Sequence, residues 1–298
     1  MYYIKCEVII MSFKEILAYA KKIACVLLAL IIPFLGFDSI GQYGSKASED
    51  SETVRVMSFN VRNGEYDRGK NVPQFIADYM PDSVGLQECE GTWYMTLEAY
   101  LRKSYGFVGT GRLTGVKYIG EATAIMYRKD KFKLVDSGTF WLSETPDKVS
   151  IGWDAKHHRT CTWVVLENKE TGEQYAHINT HLDHKGAQAR TNGLALVTDL
   201  AASFDIPVVV TGDFNFGKSD PLYTQLVSGD LTDTQEVAEK TMSGKTYHGY
   251  SGGEEGEPID FICINGKVEA VKEYRIVRDM YGDTYISDHY PIFADIVL

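Results

Sequence analysis

Polar residues stand at the ends of several apolar segments of this 298-residue chain. The segment IPVVVTGDFN ends in Asp213 and Asn215. Their side chains are two residues apart, so on an extended strand they point to the same side. A carboxylate beside an amide can orient a nucleophile, hold a phosphate oxygen or ligate a cation. Arg159, which opens another predicted strand, could bind a phosphate.

Carboxylates and histidines at other strand ends supply further parts that hydrolysis of a phosphate ester requires. Glu88, with Asn60 nearby, offers hard oxygen ligands for a divalent cation that would neutralise the phosphate. His181 and His289 are candidates for acid–base catalysis because imidazole titrates near neutral pH. Asp260 lies in an apolar strand and could hold the ring of a catalytic histidine.

Each of these residues, taken singly, also has a plain structural explanation. A histidine at a strand end is more often structural or exposed than catalytic, and the GDFN segment could form only a turn. Glu88 could be a salt-bridge partner, and Asp260 could be a buried polar residue with satisfied hydrogen bonds. Singly, the residues therefore indicate no more than a soluble α/β domain.

Apolar strands and amphipathic helices must bring these residues together. The residue patterns predict strands over 54–61, 82–88, 122–128, 161–168, 175–182, 206–215, 258–266 and 287–298. They predict helices over 72–79, 92–101 and 188–204. Strand ends from distant parts of a chain can meet at one edge of two packed sheets, which gives a rigid frame for a catalytic site.

Six segments, in order along the chain, resemble the motifs of the endonuclease/exonuclease/phosphatase superfamily. They are MSFNVR (57–62), LQE (86–88), NTHLDH (179–184), TGDFN (211–215), PIDFI (258–262) and SDHYP (287–291). GDFN followed by SDHYP, with LQE upstream, is a highly specific combination, and the resemblance covers the whole domain. It implies an α/β (α+β) four-layer sandwich of the deoxyribonuclease I type, with two packed mixed β-sheets flanked by helices.

The resemblance also implies a role for each residue of the site. Metal ligands would be Asn60, Glu88 and Asp288, with Mg²⁺ as the cofactor and Mn²⁺ as a substitute. The catalytic residues would be His181, Asp213, Asn215, Asp260 and His289. The substrate phosphate would be bound by Arg159, His181 and Asn215. The division of the general-base role between His289 and Asp213 stays open.

The N-terminus has the features of a targeting segment. Lys14, Lys21 and Lys22 precede the apolar run IACVLLALIIPFLGF at 23–37. This run is about as long as the core of a signal peptide, and it is short for a membrane-spanning helix, which needs about 20 residues. We expect residues 1–41 to be a signal peptide or an N-terminal anchor, 42–52 to be a linker and 53–298 to be the domain. The protein is then expected to be exported to the periplasm, the outer surface or the medium.

Charge and composition narrow the range of substrate classes. The net charge is −11, whereas binding of long nucleic acid normally requires a basic surface. We expect hydrolysis of phosphodiesters, with phosphomonoesters as a variant, in a nucleotide, short nucleic acid, sugar phosphate or lipid headgroup. A monomer with no protein partner is expected. The alternatives are a non-specific extracellular nuclease and a catalytically inactive binding protein of the same fold.

Aromatic side chains and cysteines leave further alternatives. Trp141, Trp153, Tyr247 and Tyr250 could stack on a base, a sugar or a lipid, or could pack within the protein. The three cysteines of the domain, Cys89, Cys161 and Cys263, lie in apolar stretches without metal-type spacing. They are predicted to be buried thiols.

Overall fold

The computed structural model describes residues 40, 43–48, 50, 52–64 and 71–298. The predicted signal peptide or anchor, except for residue 40, lies outside these residues. All of the described residues belong to one compact unit, Asp38–Leu298. None of the helices in this described part has the length and apolar character needed to cross a membrane.

The described residues form twelve strands and five helices. The strands are β1 Val54–Asn60, β2 Ser83–Gln87, β3 Tyr105–Val108, β4 Ile125–Arg128, β5 Phe132–Trp141, β6 Thr160–Asn168, β7 Gln174–His181, β8 Val208–Asp213, β9 Leu231–Asp233, β10 Asp260–Asn265, β11 Ala270–Ile276 and β12 Ile292–Val297. The helices are α1 Asn71–Tyr79, α2 Gly91–Leu101, α3 Ala187–Ala202, α4 Pro221–Leu226 and α5 Thr234–Val237.

Two six-stranded sheets pack face to face. Their strand orders are β11-β12-β1-β2-β4-β3 and β5-β6-β7-β8-β10-β9. Alternate residues of a strand face opposite sides of its sheet, so Val56 of β1 packs between the sheets with Val164 and Val209. Phe59 of β1 instead packs outward, against Phe75 of α1 and the neighbouring helix α2.

The outer face of the second sheet is covered by α3. Leu194 and Val197 of this helix pack against Ile178 of β7 and Val210 of β8. The layers therefore run helix, sheet, sheet, helix, and the predicted four-layer sandwich is confirmed. Cys89, Cys161 and Cys263 are buried free thiols, as predicted.

Strand directions bring the predicted site to one edge of the sandwich. β1 and β2 are parallel neighbours in the first sheet, and β7 and β8 are parallel neighbours in the second. Strands β12, β6 and β10 run antiparallel beside them. The last residues of the parallel strands and the first residues of their antiparallel neighbours therefore meet. In this register Asp213 of β8 lies beside both His181 and Asp260.

The final strand begins later than the sequence predicts. Pairing starts at Ile292 and not at Ser287. Pro291 has no N–H to donate to a sheet ladder, and Ser287 uses its hydroxyl to bind the carbonyl oxygen of Asn60 at 2.6 Å. The segment from Ser287 to Pro291 is thus a loop that is fixed to the end of β1.

Candidate active site

A cleft of about 740 Å³ opens at this edge of the sandwich. Seven of the residues singled out from the sequence line it: Glu88, Arg159, His181, Asp213, Asn215, Asp288 and His289. The other two, Asn60 and Asp260, are buried directly behind these side chains and hydrogen-bond to them. The structure thus brings together every predicted site residue, from seven strands of both sheets.

An aspartate holds the ring of His289. The Nδ1 atom of His289 lies 2.9 Å from Oδ2 of Asp260. Asp260 is fixed in turn by Thr246, whose hydroxyl accepts the Asp260 backbone N–H at 3.1 Å. Burial lowers the pKa of His289, but the charges of Asp260, Asp213 and Asp288 outweigh it and raise that pKa to about 10. The Nε2 atom of His289 points toward the cleft, 3.8 Å from Oδ2 of Asp213.

Asp213 stands at the centre of the site. Its Oδ2 atom accepts a hydrogen bond from Nδ2 of Asn60 at 3.0 Å and lies 3.5 Å from Nε2 of His181. Its Oδ1 atom accepts the backbone N–H of Asn215 at 3.0 Å. Burial, together with the negative charge of Asp260, raises the pKa of Asp213 to about 7. A carboxylate with this pKa can exchange a proton near neutral pH.

Two carboxylates, with the Asn60 amide N–H group hydrogen-bonded beside them, form the best candidate for a metal centre. Nδ2 of Asn60 lies 3.3 Å from Oε1 of Glu88. The guanidinium of Arg62 lies between Glu88 and Asp288, 3.7 Å from the first carboxylate and 3.5 Å from the second. A cationic group is thus already held where these two acids face each other. Hard oxygen donors of this kind are the ligands that Mg²⁺ prefers, so the residues fit a divalent cation.

A second group of residues offers an alternative place for a cation. One ligand atom from each of Asp213, Asp260 and His289 lies within 4.8 Å of the others. A cation there would compete with the hydrogen bond between His289 and Asp260, because both of these side chains are buried and already paired. Glu88 and Asp288 are therefore the better candidates for holding a cation, and the second group is the better candidate for acid–base residues.

Arg159 and His181 are the candidate phosphate-binding residues of the cleft. Nε of Arg159 lies 3.4 Å from Oδ2 of Asp183, which holds the guanidinium in place. Backbone N–H groups of Lys185 and Gly186 donate to the other Asp183 oxygen at 2.9 Å each. Burial and the charge of Arg159 hold the pKa of His181 well below its ordinary value, so this ring is a neutral hydrogen-bonding group.

Several cleft residues were not predicted from the sequence. Asn63, Arg112, Glu121, His157 and His184 line the cleft. Asp183 is buried behind Arg159, and its position in the NTHLDH segment beside His181 was a usable signal. Most of these lie in loops, where no apolar periodicity marks their direction. Of the four aromatic residues singled out, only Tyr247 lines the cleft, with its ring centre 5.0 Å from that of His289.

Fold and site together define a metal-dependent hydrolase. A family model described as the endonuclease/exonuclease/phosphatase family matches residues 57–289. The match covers most of the chain, and the protein belongs to this family. The superfamily resemblance predicted from the six motifs is therefore confirmed.

Solved structures of bacterial proteins share this architecture. An endonuclease/exonuclease/phosphatase family protein from Bacteroides thetaiotaomicron is 32% identical, with a TM-score of 0.78 over 83% of this chain and 98% of that chain. A mannosyl-6-phosphatase from the same species is also 32% identical, with a TM-score of 0.76 over 82% of this chain and 100% of that one.

A more distant relative is human nocturnin. It is 22% identical over 288 residues, and the alignment covers 81% of this chain but only 64% of nocturnin. The structure of its catalytic domain, with a TM-score of 0.64, shares the fold with this chain.

Proposed function

We propose that the protein is a Mg²⁺-dependent phosphoesterase that acts on small, soluble phosphate esters. One observation carries this proposal: carboxylate ligands, an Asp–His pair and a fixed arginine all face a single cleft. These are the parts that metal-assisted hydrolysis requires.

The residues of this chain divide the reaction among them. When bound at Glu88, Asp288 and Asn60, a divalent cation would supply positive charge to the phosphate. Asp213, whose pKa is about 7, takes the proton of the attacking water. His289 faces the same point of the cleft, and because its raised pKa keeps the ring protonated, it acts beside Asp213 as the acid of the pair. Asp260 keeps the His289 ring in position.

Two hydrogen-bond donors of the cleft hold the phosphate. Arg159 presents a guanidinium that Asp183 fixes from behind, and His181 presents a neutral ring. Such donors stabilise the negative charge of the non-bridging oxygens in the transition state. The leaving alcohol would depart on the side of the cleft away from Asp213 and His289.

A phosphorylated sugar is the substrate class that we propose. The mannosyl-6-phosphatase relative is 32% identical along its whole length. The net charge of −11 disfavours long polyanions, because these are normally bound by basic surfaces. The sequence favoured phosphodiesters, so their hydrolysis must be measured beside that of a sugar phosphate.

The test is hydrolysis of mannose 6-phosphate, bis-p-nitrophenyl phosphate and plasmid DNA with Mg²⁺, with Mn²⁺ and with EDTA. We expect turnover that requires the cation and that falls by about 10²–10⁴-fold in His289→Ala, the usual contribution of a general acid or base. Lys133→Met, which removes one partner of an exposed ion pair with Glu167 on β5 and β6, is the control.

Any of three outcomes would contradict the proposal. Activity that survives EDTA would exclude the metal-dependent reaction, and full activity in His289→Ala would exclude the assigned site. Faster hydrolysis of DNA than of either small ester, with a steep loss of rate as salt rises, would identify a nuclease instead.

A further inference from the structure

A partly buried ion pair lines one end of the cleft and takes no part in the reaction described above. Nη1 of Arg112 lies 2.7 Å from Oε2 of Glu121, and Nη2 lies 2.8 Å from Oε1. The two side chains are only 14% and 15% exposed. Burial lowers the pKa of Arg112 and raises that of Glu121. The pair is thus partly desolvated while it faces the cleft.

The surrounding chain holds this pair rigidly. Nδ2 of Asn63 donates to Oε1 of Glu121 at 2.8 Å. The Arg112 carbonyl oxygen accepts the Trp141 indole N–H at 2.8 Å, and the Arg112 backbone N–H donates to the carbonyl of Glu121 at 2.8 Å. The pair therefore presents a fixed set of polar atoms, which is the property of a binding subsite.

The pair lies next to the place assigned to the phosphate. Asn63 connects the ion pair to Glu88. Its backbone N–H donates to Oε2 of Glu88 at 2.9 Å, and its side chain binds Glu121. Arg112 and Glu121 also share a second, smaller depression with Glu88, Arg159 and His181. The part of a substrate that follows the phosphate would therefore reach Arg112 and Glu121.

The chemistry of the pair suits hydroxyl groups. A guanidinium has five N–H donors, of which the pair uses two, and the carboxylate retains lone pairs. The pair has no net charge, so a second phosphate would gain little from Arg112 while facing Glu121. An acyl chain would leave these buried polar atoms without partners, which is costly. A hydroxyl both donates and accepts, and neighbouring hydroxyls can satisfy both side chains.

The rest of the cleft agrees with a hydroxyl-rich ligand. Among its described lining residues, Ile259 and Tyr247 are the only ones that are neither charged, amide nor histidine. Tyr247 stands beside His289, whereas the ion pair stands beside Glu88. An apolar tail or a stacked base would therefore find little surface at the ion-pair end.

We propose that Arg112 and Glu121 form a subsite that binds neighbouring hydroxyls of a phosphorylated sugar. This inference rests on the proposed function, because it takes the phosphate position from that reaction. It assigns substrate selectivity to two residues that do not touch the reacting atoms. The expected effect is on the choice between esters and not on the chemical step.

Two phosphate monoesters separate these effects: mannose 6-phosphate and n-hexyl phosphate, which has no hydroxyls. Hydrogen bonds to charged groups typically contribute about 1.5–3 kcal/mol, or roughly 10–100-fold. We expect Arg112→Met and Glu121→Gln to lower kcat/KM for mannose 6-phosphate by about this factor. The change should appear mainly in KM, with n-hexyl phosphate altered less than about twofold. Lys133→Met again serves as the control variant, and melting curves report whether each variant folds.

The possible outcomes are distinct. If wild-type protein hydrolyses n-hexyl phosphate and the variants lose activity on both esters equally, the subsite is wrong and the proposed function stands. The subsite is also wrong, and the proposed function also stands, if neither variant alters the preference for mannose 6-phosphate over n-hexyl phosphate. If wild-type protein releases phosphate from neither ester with Mg²⁺ or Mn²⁺, the proposed function fails and the subsite fails with it.

Discussion

Three residues of the site hold backbone conformations that side chains other than glycine rarely adopt. The φ angles are 59° for Arg62, 54° for Glu88 and 55° for Asn215. Each such residue costs about 1 kcal/mol or more, and this strain persists only where the surrounding structure fixes it. At Glu88 the left-handed turn follows directly after β2 and directs the carboxylate into the cleft. Strain at three cleft residues supports a functional site here.

The assignment of the metal to Glu88 predicts how a variant binds cations. Glu88→Gln keeps the size of the side chain but removes one negative ligand. Loss of an outer-shell partner alone typically weakens metal binding about 10–100-fold, so we expect at least this loss. Calorimetric titration with Mg²⁺ and Mn²⁺ measures it. Glu167→Gln, on β6 and outside the cleft, controls for the change in net charge.

His289→Ala is the informative comparison for this titration. If the cation instead binds among Asp213, Asp260 and His289, that variant will lose cation binding and Glu88→Gln will retain it. Our assignment predicts the reverse order of effects. Equal affinities in all three proteins would mean that neither group of residues holds the cation.

A buried histidine between the sheets makes stability depend on pH. Nδ1 of His177 lies 2.9 Å from the Ser83 hydroxyl, and Nε2 lies 2.8 Å from the Thr211 hydroxyl. Burial lowers the pKa of His177 to about 3, whereas an unfolded histidine has a pKa of about 6.5. Between these values the unfolded chain binds the proton and the folded protein does not. Stability is therefore lost as the pH falls below about 6.5.

His177→Gln tests this dependence, because glutamine can donate and accept without titrating. From pH 7 to pH 5 the wild-type protein should lose about 2 kcal/mol of unfolding free energy through this residue. The difference in stability between wild type and variant should shrink by the same amount. Urea unfolding at both pH values measures it, and a difference that is constant with pH would show that His177 is not the responsible group.

At the scale of elements, most of the layers follow from sequence patterns and some strands do not. The predicted helix over 72–79 and the predicted strand over 206–215 correspond to α1 and β8, and both carry continuous apolar faces. The strand β5 was not predicted, because most of its residues are exposed or half-buried and show no clear alternation. Strands β3, β9 and β11 were not predicted either. All four of these strands are edge strands of the two sheets.

The site residues also divide into those that sequence patterns place and those that they do not. Asn60, His181 and Asp213 end apolar strands, so their placement followed from the strands themselves. Arg112 and Glu121 lie in the loop between β3 and β4, whose path is set by contacts with distant segments such as Trp141. No local pattern encodes such contacts. The individual catalytic roles remain predictions that the variants above test.

Packing between the sheets makes one glycine of β2 sensitive to substitution. A Cβ on Gly85 would lie 2.2 Å from the Thr211 hydroxyl and 2.6 Å from Oδ1 of Asn179. Both partners belong to a buried hydrogen-bond network of β7 and β8. We expect Gly85→Ala to destabilise the protein by about 1–3 kcal/mol or more, since overpacking forces such neighbours apart. Activity should fall too, because Glu88 follows this strand.

Gly193→Ala is the matched control for that substitution. Gly193 lies within α3, and a Cβ there would make ordinary contacts of 3.4 Å or longer. Alanine in a helix is favoured over glycine by about 0.8–1 kcal/mol, so this variant should be neutral or more stable. Urea unfolding of both variants measures the two changes in unfolding free energy. Equal effects would show that the close approach at Gly85 does not limit stability.

At the scale of the whole molecule, acidic residues outnumber basic ones, and the cleft adds no excess of positive charge. The chain carries a net charge of −11, and Arg62, Arg112 and Arg159 share the cleft with Glu88, Glu121, Asp213 and Asp288. A small phosphate ester needs only a few local contacts, whereas a long polyanion also meets the acidic surface around the cleft. This distribution agrees with a small substrate, and it matches the preference inferred for the ion pair at the cleft end.

Contacts between distant parts of the chain also determine where the folded unit begins. The segment before β1 was predicted to be a linker, yet its backbone contacts the domain. The N–H groups of Gly44 and Lys46 donate to the carbonyl oxygens of Ala77 and Asp78 at 2.8 Å each. The Lys46 carbonyl accepts a hydrogen bond from Arg55 at 2.7 Å, and Arg55 is itself buried and paired with Asp295 at 2.7 Å.

A chain that begins at Thr53 should therefore be less stable than one that begins at Tyr43. At least the three hydrogen bonds above, each worth about 0.5–1.5 kcal/mol, are lost, and the cost of ordering the segment offsets part of them. We expect a net loss of about 2 kcal/mol in urea unfolding, with activity retained because the cleft lies at strand ends that this segment does not contact. Equal stability would instead support the boundary at residue 53, with residues 43–52 acting only as a tether.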